Sequence, residues 1–206
     1  MGWWTEHAVP RITDLALRGH EVGESRSRAC EGLSGRVLEI GFGSGLNLAH
    51  LPGGVTGIGA VEPSDVGWSM SQERRARSAV PVDRIGLDGQ AIDASEASYD
   101  AALCTFTLCT IPDPRAALAE VRRVVRPGGT LHFLEHGLST DPGVARWQRR
   151  LDPLQQRLAG GCHLTRDARA LVESAGMRVV TLETGAIPGF TGPAALTYGY
   201  LGVAVV

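Results

Sequence analysis

The chain has 206 residues, a net charge of −2, 43% hydrophobic residues and a mean hydropathy near zero. This length and composition fit one soluble α/β domain with a full core. The balanced charge gives no electrostatic basis for binding nucleic acid, although all 20 basic residues are Arg. Its arginine clusters fall in helix-like segments, which favours solvated helix faces, at residues 74–77, 122–126 and 146–150.

Cysteine usage and hydrophobic runs bear on the compartment. The four cysteines lack C-x-x-C spacing and no secretory signal precedes them, so we expect a reduced cytoplasmic setting. The N-terminal segment Met1–His7 is too polar and too short for a membrane anchor. Residues 184–206 carry no charge, but glycines and prolines interrupt them, which predicts a loop and a buried strand. We therefore expect a cytoplasmic protein without stable membrane insertion, and no pattern specifies its oligomeric state.

Strand-like and helix-like segments alternate along the chain after a helical segment at 8–31. The strand-like runs are 36–41, 56–61, 82–87, 99–105, 129–135, 177–183 and 195–205. The helix-like segments are 46–50, 65–78, 89–95, 114–125 and 142–175, the last divided into two helices at Asp152-Pro153. This alternation predicts an α/β fold with a doubly wound, seven-stranded, mostly parallel sheet. A Gly/Pro loop without a helix joins the last two strands, so we expect the last strand to be antiparallel.

We expect a single domain over residues 1–206, with a helical cap at 1–34 and the core at 35–206. Within the last helical stretch, Thr165 is a candidate cap for a helix at 166–175, because a hydroxyl can accept hydrogen bonds from the first backbone N–H groups.

The most informative stretch is V-L-E-I-G-F-G-S-G-L-N at residues 37–47. An apolar strand ends there in three alternating glycines, Gly41, Gly43 and Gly45, and ligands of open α/β sheets bind at such strand ends. A dinucleotide fingerprint needs its third glycine where this chain has Leu46, so the spacing disfavours that class. The carboxylate of Glu39 suits a cationic ligand. The alternative is an ordinary strand-to-helix turn.

Two further strand ends carry acids that suit a nucleoside. Glu62-Pro63 closes the second strand, where an acid can accept both ribose hydroxyls and the proline ends the ladder. Asp88-Gly89-Gln90 follows the third strand and could surround an adenine, or could form a simple Asp-Gly turn.

Later strand ends supply candidates for the other side of such a crevice. Glu135-His136 ends the fifth strand, and His136 is either an acceptor-site residue or a hydrogen-bonded structural histidine. Gly160-Gly161 would allow a sharp turn that presents Cys162 and His163. A zinc site from Cys162, His163 and His136 is disfavoured because the spacing matches no structural zinc pattern, so we expect no metal.

The motif E-x-G-x-G-x-G at 39–45 resembles the first motif of class I S-adenosylmethionine-dependent methyltransferases, and residues 37–135 resemble their core throughout. Further segments resemble the animal thiol S-methyltransferases, a microsomal and lipid-droplet family: C-T-F-T-L-C-T at 104–110, L-E-H at 134–136, W-Q-R-R-L-D-P at 147–153, G-C-H-L-T-R at 161–166 and Y-G-Y at 198–200. Those proteins carry an N-terminal hydrophobic anchor that is absent here. They also have Asp in place of Glu62, a conservative difference.

The resemblance implies S-adenosylmethionine as cofactor and a small-molecule methyl acceptor, with a thiol as the leading candidate. Bacterial phospholipid N-methyltransferases share a similar core, so an amine or phospholipid N-methyltransferase is the alternative; a non-catalytic S-adenosylmethionine-binding protein is the other. The implied cofactor residues are Glu39, Gly41, Gly43, Gly45, Asn47, Glu62, Pro63, Asp88, Gly89, Gln90 and Cys104.

Catalytic candidates are fewer, because an in-line methyl transfer requires alignment and an unprotonated acceptor. A free thiol has a pKa of about 8.5, so a nearby base or positive charge suffices to form the thiolate. The candidates for that role are His136, His163 and Arg166. Cys104 and Cys109 could be nucleophiles, but transfer from a sulfonium needs none, which favours small buried hydrophobes.

Overall fold

A seven-stranded sheet with the order β3-β2-β1-β4-β5-β7-β6 forms the centre of the computed structural model, which describes residues 4–206. Residues 1–3 of the predicted polar N-terminal segment lie outside the described residues. The strands are β1 (Gly35–Ile40), β2 (Val55–Val61), β3 (Val82–Gly86), β4 (Tyr99–Thr105), β5 (Val125–His136), β6 (Arg178–Ala186) and β7 (Tyr198–Val205).

Strand directions confirm the predicted fold class. Strands β3, β2, β1, β4 and β5 pair in parallel, whereas β7 pairs antiparallel with both β5 and β6. The strand order reverses between β1 and β4. In open α/β sheets a crevice opens outside the carboxyl ends of the strands at such a reversal, and ligands bind there.

Eight α-helices flank the sheet in the described part of the chain. They are α1 (Val9–Leu17), α2 (His20–Cys30), α3 (Asp65–Met70), α4 (Gln72–Arg77), α5 (Pro114–Val124), α6 (Pro142–Leu158), α7 (Ala168–Ser174) and α8 (Ala194–Thr197). A π-helical turn at Trp4–Ala8 precedes them, and a 3₁₀ helix at Leu46–His50 follows β1. Among residues 4–206, no helix is both long and apolar enough to cross a membrane.

The core lies on both faces of the sheet. On one face α5 and α7 pack against it through side chains such as Leu118 and Val172. On the other face α2 packs against it through Ala29 and Cys30. Each large aliphatic side chain that becomes fully buried stabilises the fold by roughly 1.5–3 kcal/mol, so the central strands are held firmly. Their carboxyl ends therefore form a rigid base for a site.

Local tertiary contacts override two of the predicted helices. The helix predicted at 8–31 is broken at Arg18-Gly19, since Gly19 is extended and begins α2. Residues 89–95 form turns instead of a helix. Side chains of α5 hold that segment: Glu120 Oε2 accepts from the backbone N–H of Ile92 at 2.8 Å, and Arg123 donates to the carbonyl of Ala94 at 2.7 Å.

The long helical stretch divides later than the sequence predicts. Helix α6 continues through Pro153, and the Asp152 carboxylate accepts from the backbone N–H of Leu164 at 2.6 Å instead of capping a second helix. Asp167, not Thr165, caps α7 by accepting from Ala170 N at 3.0 Å. Two other predicted segments are also subdivided: 65–78 into α3 and α4, and 195–205 into α8 and β7.

Candidate active site

Three glycines in the left-handed region shape the loop after β1. Gly41, Gly43 and Gly45 have φ values of 75°, 56° and 75°. A Cβ atom on Gly41 would lie 2.0 Å from Oγ1 of Thr107, so only glycine fits against the loop after β4. Around Gly43 the space is open, with no heavy atom nearer than 4.0 Å to where its Cβ would be. The loop therefore presents bare backbone to the crevice.

Glu62 lies at the tip of β2 and faces this loop. Its Oε2 accepts from Gly43 N at 2.6 Å and its Oε1 accepts from Ser64 N at 2.7 Å. The residue is only 5% exposed, and burial raises the pKa of its carboxyl while these two backbone bonds oppose the shift. Each carboxylate oxygen accepts one of these bonds and has lone-pair capacity for a second donor.

A buried polar network extends behind the loop. Asn47 Nδ2 donates to Glu39 Oε1 at 2.8 Å, and Arg26 Nη1 donates to Asn47 Oδ1 at 2.6 Å and to Thr105 Oγ1 at 3.0 Å. Two atoms of this network are buried without a hydrogen-bond partner, Glu39 Oε2 and Arg26 Nε. Unpaired buried charged groups are destabilising, and such groups call for an explanation.

Burial also changes the acidity of this network. It raises the pKa of Glu39, which is 1% exposed, to about 7, against the opposing effects of the Asn47 hydrogen bond and the Arg26 charge. It lowers the pKa of Arg26 to about 10. The site thus holds a carboxyl group and a guanidinium that each keep one unpaired atom, which matches a ligand that carries both an ammonium and a carboxylate.

Helix α1 covers the crevice. Asp14 Oδ1 accepts from Ser44 Oγ at 2.6 Å and lies 3.0 Å from Arg74 Nη1, which also donates to the Ser44 carbonyl at 2.9 Å. Together α1, the glycine loop, the start of α3 and the tip of β4 enclose a cavity of about 160 Å³. Its lining includes Pro10, Thr13, Asp14, Leu17, Arg26, Gly41, Gly43, Asn47, Glu62, Thr105, Phe106 and Thr107.

Phe106 forms the wall of the cavity at the tip of β4. Its φ of 56° is unusual for a bulky residue, and such strain clusters at functional sites. The ring stacks on Phe190 with centroids 5.7 Å apart, and the guanidinium carbon of Arg26 lies 5.3 Å from its centroid. An aromatic wall therefore stands beside the charged network.

Seven of the predicted cofactor residues lie outside the cavity lining: Glu39, Gly45, Pro63, Asp88, Gly89, Gln90 and Cys104. Asp88 Oδ1 accepts from both nitrogens of Gln90 at 2.8 Å, which lowers the pKa of Asp88, and Gly89 packs so closely on Ile40 that a Cβ would lie 2.8 Å from its Cγ2. This turn is next to the tip of β1, where an adenine ring could reach it. Pro63 is exposed. Cys104 is buried against Glu135, and burial raises the pKa of its thiol.

The three catalytic candidates lie beyond the cavity. His136 is buried with its Nδ1 3.6 Å from Cys162 Sγ, and its Nε2 has no hydrogen-bond partner. His163 Nδ1 lies 3.5 Å from Asp152 Oδ2. Arg166 donates to three backbone carbonyls, those of Leu108, Ile111 and Pro112. Within residues 4–206 no three His, Cys, Asp or Glu side chains are arranged to hold a metal ion.

Comparison with known proteins decides the family. A methyltransferase-domain family model matches residues 38–133. The thiol S-methyltransferase TMT1B of Rattus norvegicus is 32% identical over 187 residues, which are 84% of this chain and 75% of that protein. The chain belongs to the class I S-adenosylmethionine-dependent methyltransferases, near the thiol S-methyltransferases.

Two other similarities are weaker or concern the fold. The phosphatidylethanolamine N-methyltransferase of Cereibacter sphaeroides is 31% identical over 114 residues, 50% of this methyltransferase and 51% of that protein. A solved S-adenosylmethionine-dependent methyltransferase from Thermotoga maritima superposes with a TM-score of 0.66 over 98% of this chain and 99% of the other, at 20% identity. The second similarity shows a shared fold.

The cavity of this methyltransferase fits S-adenosylmethionine, the cofactor of its family. The cofactor has a ribose diol, an ammonium, a carboxylate and no phosphate. Bare backbone at Gly43 opens onto the cavity, and Glu62 has acceptor capacity for a diol. The orphaned Glu39 Oε2 and Arg26 Nε have charges opposite to those of the ammonium and carboxylate.

Among the cavity residues that the sequence analysis did not predict are Asp14, Arg26 and Phe106. The two charged residues lie in helices α1 and α2, where a polar residue is ordinary and no motif marks it. Phe106 lies inside the C-T-F-T-L-C-T segment that the resemblance singled out, but its left-handed backbone has no signal in the sequence. An Arg at position 26 in an otherwise buried helix face is the one available indication.

Proposed function

We propose that this methyltransferase transfers a methyl group from S-adenosylmethionine to small apolar thiols. The observation that carries the proposal is the character of the cavity wall next to the tip of β4, where Phe106 stacks on Phe190. Both carboxylates that line the described cavity already have donors: Asp14 has Ser44 and Arg74, and Glu62 has backbone N–H groups. An apolar, uncharged acceptor suits this wall better than a cationic amine, and the similarity to thiol S-methyltransferases supports the same class.

The cofactor residues follow from the cavity. In this proposal the loop at Gly41–Gly45 supplies backbone contacts and Glu62 accepts the ribose hydroxyls. Glu39, supported by Asn47, pairs with the ammonium, while Arg26 pairs with the carboxylate. The turn at 88–90 contacts adenine.

When bound, the cofactor supplies an electrophilic methyl group on a sulfonium. The chain's own contribution is positioning, because Thr105, Phe106 and Thr107 form a fixed wall against which an acceptor can be aligned. Arg166 and His163 support that wall: Arg166 donates to the Leu108 carbonyl, and the backbone N–H of His163 donates to the Cys109 carbonyl at 2.7 Å. We assign both a positioning role and expect the thiol to lose its proton to solvent.

The setting is part of the proposal. All four cysteines are free thiols and buried, which supports a reducing compartment such as the cytoplasm. Free acceptor thiols would persist in the same setting.

A panel of acceptors tests the proposal. Purified enzyme with S-adenosylmethionine is incubated with an aromatic thiol, an alkyl thiol, an amine and a phenol, and S-adenosylhomocysteine is quantified. We expect methylation of the thiols, with a rate that rises with pH and flattens above the pKa of each thiol, because the thiolate reacts. Two thiols of different pKa should give two different midpoints.

The phospholipid alternative has a specific observation in its favour, the partial similarity to the phosphatidylethanolamine N-methyltransferase. Vesicles containing phosphatidylethanolamine therefore join the panel. Methylation of that headgroup or of the amine, with both thiols untouched, would contradict the thiol proposal. A Glu62→Ala variant, which should bind cofactor poorly, serves as the control for background methylation.

A further inference from the structure

A buried cluster of sulfur and nitrogen atoms lies outside the lining of the cavity, close to the loop that follows β4. Its members are Cys109, Cys162 and His136. Nδ1 of His136 lies 3.6 Å from Sγ of Cys162, and the Cys109 and Cys162 thiols are near enough to affect each other's ionisation. The backbone bond from His163 N to the Cys109 carbonyl, 2.7 Å long, holds the two cysteine-bearing segments together.

The two sulfurs of this cluster differ in character. Hydrogen bonds from Cys109 and then from His136 lower the pKa of the Cys162 thiol, against the effect of burial. The same pairing with Cys162, together with burial, raises the pKa of Cys109. The positive charge of Arg166 also acts on both sulfurs. The cluster therefore resembles a thiolate with a thiol held against it.

The solvent exposure of the four cysteines also favours Cys162 as the reactive thiol. Their exposed fractions are 0% for Cys30, 1% for Cys104, 3% for Cys109 and 8% for Cys162. Burial raises the pKa of Cys30 and of Cys104, so both are poor nucleophiles. Cys162 is thus the most exposed of the four thiols and the one whose thiolate is stabilised.

We propose that Cys162 and Cys109 form a site for thiol–disulfide exchange with low-molecular-weight disulfides, in which Cys162 attacks and Cys109 resolves. The Cys162 thiolate bonds to one sulfur of the disulfide RSSR and releases RS⁻, which leaves Cys162–S–S–R. Cys109 then gives up its proton and attacks the Cys162 sulfur, forming Cys109–S–S–Cys162 and releasing the second RS⁻. The two protein thiols lose two electrons in total, and the disulfide gains them.

This site is independent of the methyl acceptor. It uses residues that line neither the cavity nor the glycine loop, and it needs no metal. It does share a segment with the active site, since Cys109 follows Thr107 by two residues and both backbone N–H groups donate to Glu135. Oxidation of Cys109 and Cys162 would therefore change the position of the loop that follows β4.

The folded enzyme without added reductant is treated with the chromogenic disulfide dithiodipyridine at neutral pH. We expect rapid release of two equivalents of pyridinethione, a protein mass lower by two hydrogen atoms, and a Cys109–Cys162 cross-linked peptide after digestion without reduction. Cys109→Ser should release one equivalent and retain a pyridylthio group on Cys162. Cys162→Ser should lose the rapid phase, and the matched control Cys30→Ser should keep it. His136→Asn should slow it.

Three results would overturn the proposal. One is that the native enzyme reacts with dithiodipyridine no faster than the enzyme unfolds in the same buffer. Another is a stable pyridylthio adduct on Cys162 of the wild type with no cross-link to Cys109. The third is a rapid phase that survives in Cys162→Ser. If circular dichroism shows that a serine variant is unfolded, the presence or absence of the cross-linked peptide in the wild type decides the question.

Discussion

The carboxyl group of Glu39 is buried, and one of its two oxygens has no hydrogen-bond partner. Its Oε1 is held by Asn47, whereas its Oε2 has no donor. A carboxyl group in this position resists ionisation, which is why its pKa is raised to about 7. A bound ammonium would supply the missing partner. In the proposed assignment, Glu39 would therefore favour the cofactor-bound enzyme over the enzyme without cofactor.

We expect Glu39→Gln to stabilise the empty enzyme in a pH-dependent way. The folded-state pKa lies above the usual value of 4.5, so the protonated form favours folding and this contribution is lost as pH rises from about 4.5 through 7. Removing the ionisable group should therefore leave stability unchanged near pH 4 and raise it at pH 8, by up to roughly 3 kcal/mol. Urea unfolding at both pH values measures the difference.

The same variant should bind S-adenosylmethionine at least about tenfold more weakly, because a charge-assisted hydrogen bond is worth roughly 1.5–3 kcal/mol. Calorimetry at pH 8 tests this. An equal change in stability at pH 4 and pH 8, or unchanged affinity, would show that Glu39 does not carry the assigned charge.

Site residues that belong to a sequence motif could be predicted. Site residues that only the tertiary fold brings to the cavity could not. The alternating glycines and Glu62 fall at strand ends, and parallel strands bring their ends together by geometry. Arg26 and Asp14 reach the site only because α1 and α2 fold back over it, and nothing in their local sequence specifies that path.

At the scale of elements, helix α1 lies over the cavity, and the side chain of Asp14 links it to the residues beneath. Asp14 connects it to Ser44 in the glycine loop and to Arg74 in α4. The Asp14–Ser44 hydrogen bond is buried and shielded from solvent, whereas the Arg74 side chain of the ion pair is 34% exposed. We therefore expect this contact to slow the release of a ligand bound beneath α1.

Asp14→Ala should therefore speed the dissociation of S-adenosylmethionine by roughly tenfold or more, as expected for loss of a buried charged hydrogen bond of about 1.5–3 kcal/mol. Association should change much less. Stopped-flow fluorescence measures both rates, and Glu24→Ala, an exposed acid on α2, is the matched control. Equal dissociation rates in Asp14→Ala and the wild type would assign α1 no covering role.

Elements with a strong apolar pattern were predictable, and elements held by side chains from elsewhere were not. Strand β4 was predicted at its observed bounds, since it is buried on both faces and reads as an apolar run. The turns at 89–95 depend on Glu120 and Arg123 of a later helix. At Asp152-Pro153 the pattern of a helix start is present, but the Asp152 carboxylate binds Leu164 instead.

For the whole molecule, the site draws together the tips of β1, β2 and β4 with the cover from α1. Ligand binding should therefore stabilise the fold as a unit. We expect S-adenosylmethionine and S-adenosylhomocysteine each to stabilise the enzyme by about 2.7 kcal/mol at 100 times the dissociation constant. For a chain of this size that corresponds to a Tm increase of about 5–10 °C.

Thermal unfolding with and without ligand measures this effect. Glu62→Ala should show a much smaller increase at the same ligand concentration, because the two ribose hydrogen bonds proposed for Glu62 would be lost, and its own Tm without ligand is the reference. A Tm that rises with NAD and not with either adenosyl compound would contradict the assigned cofactor.

The two unpaired buried atoms, Glu39 Oε2 and Arg26 Nε, have a consequence for the protein's lifetime in the cell. In molecules without cofactor, Glu39 Oε2 and Arg26 Nε keep no hydrogen-bond partner, so we expect a larger fraction of these molecules to be unfolded at any moment. Proteases remove unfolded chains, and a difference of about 1–2 kcal/mol changes abundance several-fold. The amount of this enzyme should therefore follow the supply of methyl donor, with a faster turnover when the donor is scarce.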